Sequence, residues 1–290
     1  MRNGVYKMNI ISQIWAIITS VAMLLTTIIG IGPMTTTPSS VELVKTDKLL
    51  LENAMYTGQG ITTDGEYYYT SGTIAALGAT GIAKWKADDY SLVASRFGVI
   101  PEEYKDKYEC NHVGGVSYYD GLIYAAVENK SKDGTFVITY DCETLDTVSV
   151  YEVECEALID GIPWCAVDSN GGYLYCSPFH NTDKIVAFDL ETMEFSHYIM
   201  LSESISRIQG GEEYNGKLYL SSDNGENTDT VYSIDIESGE VQTVCERTVP
   251  GIVGNEAEGL TVFPMSDGSL IHVIDYDKTV GISIRHYSIG

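Results

Sequence analysis

Positive charge is the first thing this sequence is short of: 17 Lys and Arg stand against 41 Asp and Glu, a formal net charge of −24. A field of that sign repels nucleic acid and anionic membrane surfaces, so nucleic acid is not expected as a partner. It is compatible with divalent cations and cationic ligands. Several motifs are missing as well. No Cys-x-x-Cys pair offers a structural zinc site, and no Gly-x-Ser-x-Gly elbow offers an activated serine. Neither a glycine-rich phosphate loop nor an EF-hand spacing occurs. Phenylalanine is scarce too, at 6 residues against 21 tyrosines, while glycine reaches 28; that balance favours strands and tight turns over helices.

What is present begins with an apolar segment. Residues 8–32 are 25 consecutive uncharged positions, preceded by Arg2 and Lys7 and followed by no Lys or Arg until Lys45. At 1.5 Å per residue that is long enough to cross a bilayer as a helix, and the flanking charges leave the N-terminus in the cytoplasm and the rest outside it. A retained anchor is favoured over a cleaved signal, because the apolar run is long and lacks an A-x-A-like site. Residues 1–32 are thus read as a signal-anchor or transmembrane segment, residues 33–40 (PMTTTPSS) as an extended Thr/Pro linker, and residues 41–290 as one folded domain. The expected location is membrane-anchored outside the cytoplasm, or secreted.

Self-similarity defines that domain. Five segments share a glycine, a short strand, an Asp-Gly or Asn-Gly turn and a strand rich in Tyr and Leu, with turns at Asp64-Gly65, Asp120-Gly121, Asn170-Gly171, Asn215-Gly216 and Asp267-Gly268. Asp-Gly and Asn-Gly suit two-residue hairpin turns, so each segment predicts a β-hairpin. The turns recur after 56, 50, 45 and 52 residues, close to the roughly 40–50 of a four-stranded propeller blade. A second hairpin follows in four repeats, at strands ending Asp88, Asp141, Asp189 and Asp235. The fifth repeat runs out after its third strand, and Val41-Glu42-Leu43-Val44 or Lys48-Leu49-Leu50-Leu51 belongs to no other blade. The expected fold is therefore all-β: a five-bladed β-propeller whose last blade is closed by an N-terminal strand, which removes the open edge. A two-sheet sandwich would explain the alternation but not the period.

Six cysteines lie in this domain: Cys110, Cys142, Cys155, Cys165, Cys176 and Cys245. Cys165 and Cys176 are equidistant from the Asn170-Gly171 turn and should oppose each other, either bridged or as reduced core residues. Asn129-Lys130-Ser131 fits a glycosylation acceptor, relevant only in a eukaryotic secretory pathway.

In such a ring, loops entering the first strand and leaving the second strand share one face. The residues gathered there are Gln59 and Ser71; Asn111, His112, Glu128 and Asn129; Asp160, Trp164 and His180; Gln209, Asp223 and Asn224; and Glu256, Glu258, Asp275 and Asp277. Two chemistries suit them. Glu258, Asp223 and Asp275 are candidate oxygen ligands for a hard cation such as Ca²⁺. Alternatively His112 with Glu128 or Glu258 forms an acid–base group, the remainder binding ligand. Trp164 is either core or the floor of a pocket.

The hairpins and the Tyr-Asp or Phe-Asp turns followed by Glu-Thr or Glu-Ser resemble bacterial exported propellers of the YVTN type over about residues 41–290. Tyr56-Thr57-Gly58-Gln59-Gly60-Ile61 with Asp64-Gly65 is similar to the first blade of plant-type glutaminyl cyclases, which are five-bladed. Glu256-Ala257-Glu258-Gly259-Leu260-Thr261-Val262 resembles a segment of lactonase-like and phytase-like propellers. These resemblances imply fold and export rather than one activity. The expected function is binding of a small-molecule or protein ligand at the polar channel face, with Ca²⁺ as the candidate cofactor and a monomer as the expected state. The alternative is a hydrolase, lactonase or cyclase.

Overall fold

The computed structural model describes residues 34–35, 41–49, 54–74, 77–168, 170–224, 228–248, 255–277 and 281–290. The apolar segment 8–32 lies outside them. Among the described residues no helix is long and apolar enough to cross a membrane.

Five antiparallel sheets form the blades. In chain order the first comprises β3 (Ile61–Thr63), β4 (Tyr67–Ile74), β5 (Ala79–Lys86) and β6 (Leu92–Phe97), numbered after β1 (Met34–Thr35) and β2 (Val41–Leu49). The second is β7 (Cys110–Tyr119), β8 (Leu122–Asn129), β9 (Thr135–Asp141) and β10 (Thr147–Glu152), and the third β11 (Cys165–Asp168), β12 (Tyr173–Cys176), β13 (Thr182–Asp189) and β14 (Phe195–Ile205). The fourth runs β15 (Ile208–Tyr214), β16 (Lys217–Asp223), β17 (Thr228–Asp235) and β18 (Val241–Thr248), and the fifth β19 (Asn255–Val262), β20 (Ile271–Asp277) and β21 (Gly281–Ile289). The fifth blade takes its outer strand from the other end of the chain: β2 pairs antiparallel with β21, Val41 opposite Ile289 and Leu49 opposite Ile282. The expected closure is what the fold uses. Two residues of the stretch read as linker also pair, Met34 with Thr248 and Thr35 with Arg247, extending the fourth blade. Two short helices, Ala54–Thr57 and Glu102–Tyr108, were not anticipated.

The turn chemistry explains the register. Asp120-Gly121 and Asn215-Gly216 place both residues at positive φ, 46° with 81° and 54° with 77°, as a two-residue hairpin turn demands. In the third blade the turn is longer, with Gly172 alone at positive φ, and Cys165 and Cys176 face each other as expected. Both are buried free thiols, and the other four cysteines are free as well. At the outer hairpins Asp141 and Asp189 accept backbone N–H groups of their own turn, and Asp235 accepts the Ser238 hydroxyl and N–H, which holds all three carboxyls below the usual range. Between blades the packing is apolar; Phe136 and Tyr140 fill one interface, and Trp164, Ile185 and Leu218 another.

The innermost strands meet at a hub made of backbone. A Cβ added at Gly259 would lie 2.6 Å from backbone atoms of Gln59, Gly60 and Ile61, and one at Gly114 would lie 2.2 Å from the Pro163 carbonyl oxygen. Only glycine permits that approach. The Gly259 N–H donates to the Gln59 carbonyl at 2.6 Å, and the Gly115 N–H to the Pro163 carbonyl at 2.7 Å. The Ser71 hydroxyl donates across to the Gly114 carbonyl at 2.5 Å, and the Ser221 hydroxyl to that of Glu258. This constriction separates two ends of the channel: an open end, where chains enter first strands and leave second strands, and a turn end beside the Asp-Gly hairpins.

Candidate functional site

The open end gathers side chains from three blades at its centre. Gln59 precedes hub residue Gly60, Glu258 precedes Gly259, and His112 and Glu128 face each other across β7 and β8. The Gln59 amide nitrogen donates to Glu258 Oε1 at 3.0 Å and to the Gly58 carbonyl at 2.9 Å. Both partners are acceptors, so the amide orientation is fixed and Gln59 Oε1 must accept. It does so from His112 Nε2 at 2.5 Å. Nε2 therefore carries the proton.

Burial, with a smaller contribution from the nearby Lys132 ammonium, lowers the His112 pKa to about 3. The ring is neutral near pH 7, and Nδ1 presents a bare lone pair. Opposite it, at 3.9 Å, stands Glu128 Oε1. Both atoms are buried without a hydrogen-bond partner. The Glu128 side chain has no exposed surface, against 22% for that of His112. Its other oxygen is held by Lys132 Nζ, four residues on in a turn where Lys132 adopts φ 63°. Gly161 leaves room for this carboxylate, since a Cβ there would sit 2.5 Å from Oε2. Two acceptors therefore face one another across a gap that only a donor can settle.

The chain of contacts continues around the rim. The Gly161 N–H donates to the Lys132 carbonyl at 3.0 Å, and Asp160 pairs with the exposed His180 at 2.5 Å. His180 packs edge-on to Phe179 at 4.5 Å, and the Arg207 guanidinium lies 5.2 Å from the Phe179 ring. Arg207 in turn holds Asp223 at 2.7 Å. Gln209 is half-buried before Gly210, the position Gln59 holds before Gly60.

Other expectations are corrected. Asn129 turns inward on its own loop: its amide nitrogen donates to Asp133 at 2.7 Å and its oxygen accepts from the Asp133 and Gly134 N–H groups. Asn111 lines a separate cavity of about 300 Å³ with Lys105 and Lys130. Trp164 is core, fully buried, its indole N–H donating to Ser177 at 3.0 Å.

The three carboxylates assigned to a cation do not meet. Asp275 accepts from Arg247 at 2.9 and 3.0 Å and also from Arg285, while Asp223 is held by Arg207. Guanidinium groups occupy the coordination the metal would need. Among the described residues no group of three His, Cys, Asp or Glu is placed to hold a metal ion.

No family model matches the chain, and no curated protein matches it. Solved structures do. A bifunctional GH43-CE protein of Bacteroides eggerthii matches over 81% of this chain and 33% of its own, at 17% identity and a TM-score of 0.53. Hydrazine synthase of Kuenenia stuttgartiensis matches over 79% of this chain and 57% of its own, at 18% identity and a TM-score of 0.42. The chain spans less than two thirds of either. At 17% identity the likeness to the Bacteroides eggerthii protein is one of fold alone, and the propeller is what it supports.

Sequence reasoning missed the opposite end of the channel. Glu212 on β15 is buried there, its carboxylate accepting from Ser117 Oγ at 2.8 Å, Thr62 Oγ1 at 3.0 Å and Thr261 Oγ1 at 3.2 Å. A signal existed: Thr62, Ser117, Val167, Glu212 and Thr261 each lie two residues beyond the hub position of their blade. Also missed were Lys132 and Arg207, whose left-handed backbones, at φ 63° and 58°, aim their charges at the rim.

Proposed function

We propose that this chain is an extracytoplasmic propeller, carried across the membrane by residues 8–32, that binds a small polar ligand through a hydrogen-bond donor at the open end of its channel. One observation carries the reading: His112 Nδ1 and Glu128 Oε1 face each other at 3.9 Å, both buried and both unpartnered. An amine seated beside them, with two N–H groups to donate, would satisfy both acceptors, which otherwise lose water without replacement at about 1–3 kcal/mol each; a hydroxyl, with one proton, satisfies only one of them. Gln59 and Glu258 fix the imidazole from behind, so the site is preorganised rather than assembled by the ligand.

The same geometry favours proton abstraction as a second reading. A neutral histidine with its tautomer fixed can take a proton from a ligand hydroxyl only if Glu128, facing its free nitrogen, holds the resulting imidazolium, because a pKa of about 3 makes the ring alone a weak base. That is the hydrolase or cyclase alternative with His112, Glu128 and Glu258 in the working roles.

The direct test is nitrogen NMR of the full chain, with ethanolamine as a probe carrying both an amine and a hydroxyl. His112 is expected as the Nε2-protonated neutral form, with Nδ1 shifting on addition of ethanolamine. Glu128→Gln should erase that shift, because its amide can itself donate to Nδ1 while its oxygen keeps Lys132. An Nδ1-protonated ring in the wild-type chain would overturn the reading.

A further inference from the structure

The turn end holds a buried carboxylate with no cation beside it. Glu212 is 8% exposed and sits at a cavity of about 380 Å³ lined also by Thr62, Tyr118, Tyr119, Tyr214 and Phe263. Its three hydrogen-bond donors come from three other blades, and two of them are oriented. Thr62 Oγ1 accepts the Tyr118 N–H at 2.9 Å, and Ser117 Oγ accepts the Val167 N–H at 3.1 Å, so each hydroxyl proton is free to point at the carboxylate. The shell is built for a charged carboxylate, yet among the described residues Glu212 makes no ion pair, and no Lys, Arg or His lines the cavity. The open end differs, since Glu128, Asp223 and Asp275 each have a basic partner.

We propose that this cavity is a second ligand site, one that takes a small organic ammonium ion, with Glu212 as its counter-charge and the surrounding Tyr and Phe rings as its wall. The chemistry is selective. Neutral hydroxyls stabilise the carboxylate but leave its charge uncompensated in a desolvated place. Aromatic side chains attract a cation through their ring faces and shed its hydration cheaply, which suits an alkylated ammonium better than a strongly hydrated metal ion. The volume lies within the roughly 300–1,000 Å³ of small-molecule sites. The protein's strongly negative charge concentrates cations around it.

The titratable groups around Glu212 are Glu213 on its own strand, the buried Cys165 thiol on β11, and Tyr118, Tyr119 and Tyr214 at the wall. Burial pushes the Glu212 carboxyl up to about 8 in the empty site. Binding should therefore strengthen as pH rises from 6 to about 8, approaching tenfold per pH unit, and then level off, since only the carboxylate is the counter-charge.

Calorimetry and thermal unfolding of the full chain with tetramethylammonium chloride, against equal sodium chloride, form the test. Saturable binding of tetramethylammonium, with the stated rise in affinity with pH, is expected. Glu212→Gln should abolish it while the chain still unfolds cooperatively. If that variant fails to fold, Tyr214→Leu serves instead, and should weaken binding several-fold without removing the pH dependence. No binding by the wild-type chain, binding unchanged in Glu212→Gln, or a pH-independent affinity would each overturn the proposal. The open-end site is untouched by these variants, so the two readings stand or fall separately.

Discussion

The two ends of the channel handle buried charge in opposite ways. At the open end and along the interface between the fourth and fifth blades, carboxylates are matched by cations: Glu128 by Lys132, Asp223 by Arg207, and Asp275 by Arg247 and Arg285. At the turn end Glu212 has only hydroxyls. Between them the glycine hub brings backbones into contact, so neither end borrows from the other. Matched charge holds an arrangement in place, whereas unmatched charge is a demand on something from outside.

The largest effect should come from breaking the matched side. Asp275→Asn removes the carboxylate shared by two guanidiniums, one of them fully buried, and leaves the buried Arg247 only the more distant Asp229, at 3.7 Å. Loss of one partner of a buried pair costs about 3–5 kcal/mol, which urea unfolding would read. Glu212→Gln, by contrast, removes a charge that has no partner, and should cost far less. If the two variants lost similar stability, the contrast between the ends would be wrong.

Next comes the hub itself. Gly259→Ala must push a methyl group against three backbone atoms at 2.6 Å, none of which is a flexible side chain. Overpacking of this kind costs typically 1–3 kcal/mol. Because those atoms belong to the first blade and the methyl to the fifth, the substitution should loosen Gln59 and with it the His112 tautomer. Hydrogen exchange at the Gly259 amide, and the imidazole nitrogen shifts of His112, would report both.

The ends should also part company in pH. His112, His272 and His286 have folded pKa values lowered by burial to about 3, 4 and 3. A base with a depressed folded pKa contributes stability above its unfolded value of 6.5, and that contribution is lost as pH falls from there toward the folded values. Glu212 and Asp229 are raised, to about 8 and about 7, with burial the main cause. Their contribution is present below the unfolded carboxyl range and is lost as pH rises through 7 and 8. Urea midpoints should therefore fall on both sides of an optimum near pH 5–7. Glu212→Gln should flatten the alkaline arm and His112→Gln the acid arm. An alkaline arm unaltered by Glu212→Gln would remove Glu212 from this account.

How far these features were legible depends on what each one rests on. The five blades, the hairpins and the closing strand were legible because a period of about 50 residues and Asp-Gly turns are local signals that tertiary context does not override. The shared end of Gln59, His112, Glu128 and Glu258 was legible for a related reason: Gln59 and Glu258 each precede a hub glycine, and His112 and Glu128 oppose each other where the first hairpin of their blade opens. What a linear reading cannot see is the partner each side chain takes: Asn129 donates to the Asp133 carboxylate of its own loop, Trp164, read as either core or pocket floor, is core and donates to the Ser177 hydroxyl, and Asp275 takes an arginine from the neighbouring blade. Glu212 was missed for a simpler reason. Side chains two residues past the hub point to the other end of the channel, away from the loops that enter first strands and leave second strands.

The smallest expected effect concerns the cation that the acidic composition suggested. Ca²⁺ requires six to eight oxygen ligands converging at 2.3–2.6 Å. Asp223 and Asp275 already face guanidinium groups, and Glu258 meets the Gln59 amide, so binding there would have to displace bonded cations before gaining the metal. Addition of Ca²⁺ or of a chelator should leave the unfolding temperature unchanged within measurement error, apart from the screening that any salt provides. Tetramethylammonium should raise it. A Ca²⁺-dependent rise lost in Glu258→Gln would place the cation at the open end after all and reverse the contrast drawn between the two ends.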